Sequence, residues 1–281
     1  MGAHTTVEFD GRTLAYAEYG DPDGTPVFGF HGVLGSRLTW ALFDRVARRA
    51  GVRLIAPERP GFGYSSFQPG RSLLDWPDDV GTLADRLGVE RFGVVGFSAG
   101  GPHALACAHA VPDRLRGLAL ASSVTPPSTH GHADPFNYAF LSATRLVPGF
   151  SQTAFQAAAW LATHSPAQFR ASIVGTAAAP DRALFDDAVG DHLVRDAAEA
   201  FRQGARGPAR DMPLVGEDWG FDAHGLDRPV TVFHGTADET VDVEMARAFA
   251  EDLGDCDLYL TDGAHYSTLV GNASALVDAA L

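Results

Sequence analysis

Phe92-Gly93-Val94-Val95-Gly96-Phe97-Ser98-Ala99-Gly100-Gly101 is the stretch whose reading decides the fold of this chain. Residues 92–95 form a short apolar run of buried-strand type, and beyond Ser98 the pattern turns helical until Pro112 stops it. A serine held between Gly96 and Gly100 where a strand becomes a helix is the setting of a nucleophile elbow, a tight turn that presents the hydroxyl at the end of a sheet. Such a turn is strained, so the positions two before and two after the serine must lack a bulky Cβ. Gly101 in turn allows the helix to pack closely on the strand. The plainer reading, that Ser98 only caps a helix, is outweighed by strand, glycines and helix occurring together.

Working outward, 7–9 and 13–19 flank Asp10-Gly11 as a hairpin with a two-residue turn. Residues 26–30 and 52–56 are further buried strands, and Ser36 is placed to cap a helix running to about residue 50. A helix over 72–87 leads into the elbow strand, and 115–121 is the next strand after it. Strands alternating with helices of this length predict an α/β fold, a mostly parallel sheet covered on both faces. The alternation breaks over 128–228, which reads as several helices and carries most of the remaining aromatics. It resumes with a strand at 230–233, a helix at 243–253, a strand at 258–260 and a last helix at 267–280. The expected organisation is a core of residues 1–127 and 229–281 with a helical cap, 128–228, inserted.

A nucleophilic serine needs a base and an acid at the same sheet edge. Val230-Thr-Val-Phe-His-Gly-Thr-Ala-Asp238 places a carboxylate just past a buried strand, and a solvated loop aspartate is the bland alternative there. Of eleven histidines, His265 alone follows the last strand and precedes the last helix. His31 and His234 end strands before glycine, which suggests structural hydrogen bonding; His103 and His109 lie on the elbow helix, and His130, His132, His164, His192 and His224 in the cap. No histidine pair has metal-ligand spacing, and no metal or cofactor is expected. The oxyanion of a tetrahedral intermediate needs two backbone N–H donors. Ala99, after the nucleophile, is one; Val33, in His31-Gly32-Val33-Leu34-Gly35, is the choice for the second.

With Ser98, Asp238 and His265 in that chain order, and Arg59-Pro-Gly-Phe-Gly-Tyr-Ser65 and Gly263-Ala-His265-Tyr-Ser267 in place, the chain resembles the α/β-hydrolase superfamily over nearly its whole length. The resemblance implies an eight-stranded sheet and looks closest to capped esterase-like members, including proline iminopeptidase and haloperoxidase relatives. Some relatives carry the acid after the preceding strand, but here that strand ends in Ala121-Ser122-Ser123-Val124. Many begin the second motif with aspartate where this chain has Glu58, a departure expected to be remote from the triad. A serine nucleophile makes the epoxide hydrolase and haloalkane dehalogenase branches poor fits.

The formal charge of −14 argues against nucleic acid and anionic membrane surfaces as partners. All 21 basic residues are arginine, a bias better ascribed to codon usage than to function. Cys107 and Cys256 have no metal or redox spacing. Residues 1–10 lack a signal-like pattern and no apolar run approaches membrane-spanning length, so a cytoplasmic location is expected. The expected activity is cleavage of a small to medium, apolar carboxylic ester through an acyl-enzyme. Lactone hydrolysis, C–C bond hydrolysis, perhydrolysis and iminopeptidase action on the same triad stay open, as does a ligand receptor without turnover. An iminopeptidase would need a cap carboxylate for the substrate amine; the acidic run from Asp181 to Glu199 offers several, though it reads better as a solvated helix face. Phe97, Phe136 and Trp160 are candidate substrate contacts. Because triad and oxyanion candidates all lie outside the cap, the cap is expected to set substrate choice and contribute little to the chemistry.

Overall fold

Asp10 and Gly11 both take positive φ, 50° and 71°, as a two-residue type I′ turn requires. They join β1 (Thr5–Phe9) to β2 (Arg12–Gly20) as an antiparallel hairpin. A computed structural model describes residues 4–133, 135–147, 149–185 and 188–281, without the side chains of residues 136, 141 and 145. The hairpin is the edge of an eight-stranded sheet continued by β3 (Thr25–Phe30), β4 (Val52–Pro57), β5 (Phe92–Phe97), β6 (Leu115–Ala121), β7 (Val230–Gly235) and β8 (Cys256–Thr261). The order is β1-β2-β4-β3-β5-β6-β7-β8, and every pair from β4 to β8 is parallel. The mostly parallel sheet read from the alternation is therefore present.

Strand residues alternate between two apolar layers, as the two-residue period of a strand demands. Phe28, Val94, Leu120 and Val232 face the layer that includes α2 (Trp76–Arg86), α3 (Gly100–Ala110) and α10 (Val243–Leu253). Val27, Val95, Ala119 and Phe233 face α1 (Asp44–Arg49), α11 (His265–Gly271) and α12 (Ala273–Ala279). All six residues of β5 are buried, the signature of a strand covered on both sides. The chain winds outward from β3 to β4, then returns to place β5 on β3's other side. That reversal makes the β3/β5 boundary a switch point, where the loops leaving the two strands diverge and open a crevice.

Between β6 and β7 come α4 (Pro135–Leu146), α5 (Phe150–His164), α6 (Pro166–Thr176), α7 (Ala179–Phe185), α8 (Ala188–Ala200) and α9 (Arg206–Gly216). Among the described residues of this inserted cap there is no strand. Phe155, Phe169, Phe185 and Phe201 on these helices are buried. No helix among the described residues is long and apolar enough to cross a membrane.

Two elements differ from the sequence reading. Ser36 does cap, its Oγ accepting from Leu38 N at 3.1 Å, but residues 37–43 form 3-10 turns before α1 begins. Arg37, Trp40 and Phe43 are buried at a spacing of three, which suits three residues per turn better than 3.6, and Thr39 beside them is buried too. The last helix is two helices. Asn272 donates its side-chain amide to Thr268 O at 2.8 Å, and its backbone departs from helical geometry between α11 and α12.

Candidate active site

Ser98 leaves β5 with φ of 52°, in the left-handed region that costs a residue with a Cβ about 1–3 kcal/mol. Surrounding hydrogen bonds hold it there. Ser98 N donates to Ala121 O at 3.0 Å, while Ser98 O accepts from Gly101 N at 2.9 Å and Val124 N at 3.1 Å. A Cβ at Gly96 would lie 2.8 Å from Gly100 O, so the flanking glycines are a steric requirement of the elbow.

The structure brings Ser98, His265 and Asp238 together. Ser98 Oγ and His265 Nε2 are 3.0 Å apart, and His265 Nδ1 lies 2.9 Å from Asp238 Oδ2. Asp238 Oδ1 accepts from the backbone N–H groups of Thr240 and Val241, both at 2.9 Å, which fixes the carboxylate's orientation. Burial works to raise the Asp238 carboxyl, but the charge and hydrogen bond of His265 outweigh it and hold it below the usual range. Burial likewise works to lower the His265 imidazole, and the Asp238 carboxylate, helped by Asp181, overcomes that and raises it. His234 donates from Nε2 to Val241 O at 2.9 Å; burial keeps it neutral beside the pair. Asp242, four residues past Asp238, instead accepts from the Asn137 amide at 3.2 Å at the start of α10.

Across the switch point, the loop after β3 lies against the elbow. A Cβ at Gly32 would stand 3.2 Å from Ser98 Cβ and 3.3 Å from the Phe97 ring. Neither Val33 N nor Ala99 N donates to an acceptor among the described residues. The loop is held from outside by charged groups that the sequence reading missed. Arg59 donates to His31 O at 2.5 Å and Gly32 O at 3.2 Å, and its Nε pairs with Asp211 of α9 at 2.7 Å. Arg71 closes on the other oxygen of Asp211. Burial alone would raise the Asp211 carboxyl; the charges of Arg59 and Arg71 overcome it and hold it well below the usual range. At the loop's far end, Asp196 of α8 accepts from Ser36 N at 2.8 Å and from the Ser36 and Thr39 hydroxyls at 2.5 Å. One turn on, Glu199 pairs with Arg37 at 2.6 Å, and Arg37 with the fully buried Glu58 at 2.5 Å.

The acidic run of the cap is only in part a solvated face: Asp191 is exposed and pairs with Arg170 at 2.8 Å. Asp181, Asp196 and Glu199 are buried and bonded, while Asp186 and Asp187 lie outside the described residues. Glu58 makes no contact with Ser98, Asp238 or His265 among the described bonds, and Arg37 and Glu199 tie it to the cap. Such positions have little local signal: apart from Arg202, three residues past Glu199, the partners named here are more than twenty residues distant in sequence. Ser122 was another omission. It too sits at positive φ, 43°, and its Oγ donates to His265 O at 3.1 Å.

Phe97 is 3 % exposed, and its ring stands 5.1 Å from that of His265, so it braces the imidazole from the core. Trp160 is 56 % exposed and stacks on His164, in a surface groove with Gln156, Phe201 and Arg202 that contains no triad residue. The side chain of Phe136 lies outside the described residues. Among the described residues no group of three His, Cys, Asp or Glu side chains is arranged to hold a metal ion.

A family described as alpha/beta hydrolase fold has a model that matches residues 25–271. An uncharacterized hydrolase, YcgS, of Bacillus subtilis is 37% identical over 121 residues, 43% of this chain and 41% of that protein. A non-heme chloroperoxidase of Streptomyces lividans is 33% identical over 138 residues, 48% of this chain and 49% of the other. The chain thus spans less than half the length of the curated relatives it matches. Solved structures align over almost everything. An enol-lactonase from Burkholderia xenovorans superposes with a TM-score of 0.72 at 18% identity, covering 98% of this chain and 97% of that one. A thermophilic esterase from Thermogutta terrifontis gives 0.70 at 20% identity, covering 99% and 96%. At these identities the likeness is one of fold.

Proposed function

Since this chain belongs to the alpha/beta hydrolase fold family, we propose that it is a serine hydrolase cleaving small to medium carboxylic esters through an acyl-enzyme. The observation that carries this reading is the hydrogen-bonded chain from Ser98 Oγ through His265 to Asp238 at the elbow. In the proposed first half-reaction, His265 Nε2 takes the Ser98 proton as Oγ attacks the ester carbonyl. Asp238 holds the imidazole by Nδ1–H and stabilises its cationic form. The N–H groups of Val33 and Ala99 receive the oxyanion, and His265 then returns the proton to the departing alkoxide. Water, deprotonated by the same imidazole, attacks the acyl-enzyme and frees Ser98. No cofactor enters any of these steps.

A lactone is a cyclic ester and is open to the same attack, so lactones belong in the substrate panel beside acyclic esters. An iminopeptidase is a weaker fit, because Asp181, Asp196 and Glu199 are engaged by protein donors rather than free for a substrate amine. Incubation with a fluorophosphonate and peptide mapping is expected to find the label on Ser98, with steady turnover of short p-nitrophenyl esters by unlabelled protein. An unlabelled Ser98 would overturn the nucleophile, and a burst with no turnover would favour a receptor on this scaffold.

A further inference from the structure

The first residue of α11 is His265, and the N–H groups that follow it at the helix start have no partner within the helix. Two of them are taken by a carboxylate from the cap. Asp181, in the first turn of α7 and 4 % exposed, accepts from Tyr266 N at 3.0 Å through Oδ2 and from Ser267 N at 2.7 Å through Oδ1. α7 packs on α11, and Phe185 meets the Tyr266 ring edge-on at 5.4 Å, so the contact is a built interface rather than a single bond. The loop is otherwise held by Ser122 Oγ on His265 O and by Ser267 Oγ, which accepts from Ala264 N at 2.7 Å.

We propose that Asp181 is a positioning residue for the catalytic histidine, reaching from the cap to fix the first turn of α11 and so the direction of the imidazole. This rests on the assignment of Ser98, His265 and Asp238 made above. Two effects follow from one carboxylate. Geometrically, a bidentate grip on consecutive N–H groups fixes both tilt and rotation of the turn that carries His265. Electrostatically, a second negative charge besides Asp238 acts on the imidazole, in a region where both residues are buried. The groups that face His265 are Asp238 after β7, the neutral His234 behind it, the Ser98 hydroxyl, the Tyr266 phenol and Asp181. Only Asp238 and Asp181 in that set favour the imidazolium. The cap is then part of the catalytic apparatus, against the division of labour expected from the sequence.

The test is steady-state kinetics of Asp181→Asn and Asp181→Ser across pH. Asparagine keeps one acceptor oxygen at the reach of the carboxylate, and the smaller serine is a second uncharged variant should the amide disturb folding. A misaimed imidazole lowers kcat, here by about 10- to 100-fold, while KM stays within about threefold. Loss of the charge moves the acid limb of kcat/KM to lower pH, because protonation of His265 becomes harder. Asp181→Glu, which restores the charge, is expected to return the acid limb toward its original position. Folded variants with wild-type kcat and an unmoved acid limb would overturn the proposal. If Ser98→Ala kept full activity, the triad assignment itself would fail, which separates the two outcomes.

Discussion

Asp211 and Arg59 are 152 positions apart in the chain and 2.7 Å apart in the fold, both fully buried. Through that pair α9 of the cap holds the guanidinium whose other nitrogens grip the carbonyls of His31 and Gly32. The loop offering Val33 N–H is thus fixed from the cap side. A buried charge pair contributes little net stability when intact, but breaking it is costly because the remaining charge stays desolvated.

Asp211→Asn leaves Arg59 and Arg71 buried without a countercharge. The expected loss of stability is about 3–5 kcal/mol, read from the midpoint of urea unfolding. A loss below about 1 kcal/mol would mean that water reaches these guanidinium groups.

Ser98→Ala is expected to abolish ester turnover and leave the fold intact. The left-handed backbone at 98 adds a second expectation. Ser98→Gly should be more stable than Ser98→Ala by about 1 kcal/mol, since glycine adopts this φ without a Cβ penalty. Equal melting of the two would show that the elbow is not strained.

His265 must be neutral to accept the Ser98 proton, so kcat/KM falls as pH drops through its pKa. Asp238 and Asp181 raise that pKa against burial, which places the acid limb above the ordinary imidazole value of about 6.5. The measurement is kcat/KM from pH 5 to 9 on an ester whose chemistry limits the rate. A flat profile would contradict the role.

Asp238→Asn keeps the shape of the acid but favours the wrong imidazole tautomer, and kcat should fall by about 10⁴-fold. Asp242→Asn, at the start of α10 and bonded to Asn137, should stay within about threefold of wild type. The reverse pattern would move the acid to Asp242.

Burial pushes the Asp196 carboxyl up to about 7 despite its hydrogen bonds from Ser36 and Thr39. A folded-state pKa above the unfolded value means the folded chain binds the proton more tightly. The associated stability is present below about pH 4, where both states are protonated. It is lost as pH rises toward 7. Asp196→Asn should therefore flatten the dependence of Tm on pH over this window, and an unchanged slope would show that Asp196 is ionised throughout it.

The elbow was legible because most of its requirements are local: an apolar strand, a serine and Gly96, whose Cβ would collide with Gly100 and Gly101, while Gly100 is required by Phe30 and His31 across the switch point. His265 and Asp238 were legible because each follows a readable strand, and parallel strands deliver their carboxyl ends to one edge. The 3-10 turns at 37–43 were hidden, since a spacing of three and one of 3.6 diverge too little over two turns.

What the chain order of Ser98, Asp238 and His265 made legible by itself was the sheet, the elbow and the three side chains that meet at its edge. Only the tertiary structure decided what holds them. Arg59 stands in a readable motif but its partners do not, Asp181, Asp196 and Asp211 carry no pattern in sequence, and an acidic residue on a helix reads as solvated until its partner is placed against it. Strand, turn and elbow are written in neighbouring residues because their energies are steric and local. The grip of the cap on the catalytic loops is written in pairs far apart along the chain, because burial and charge pairing act through space once the fold has closed.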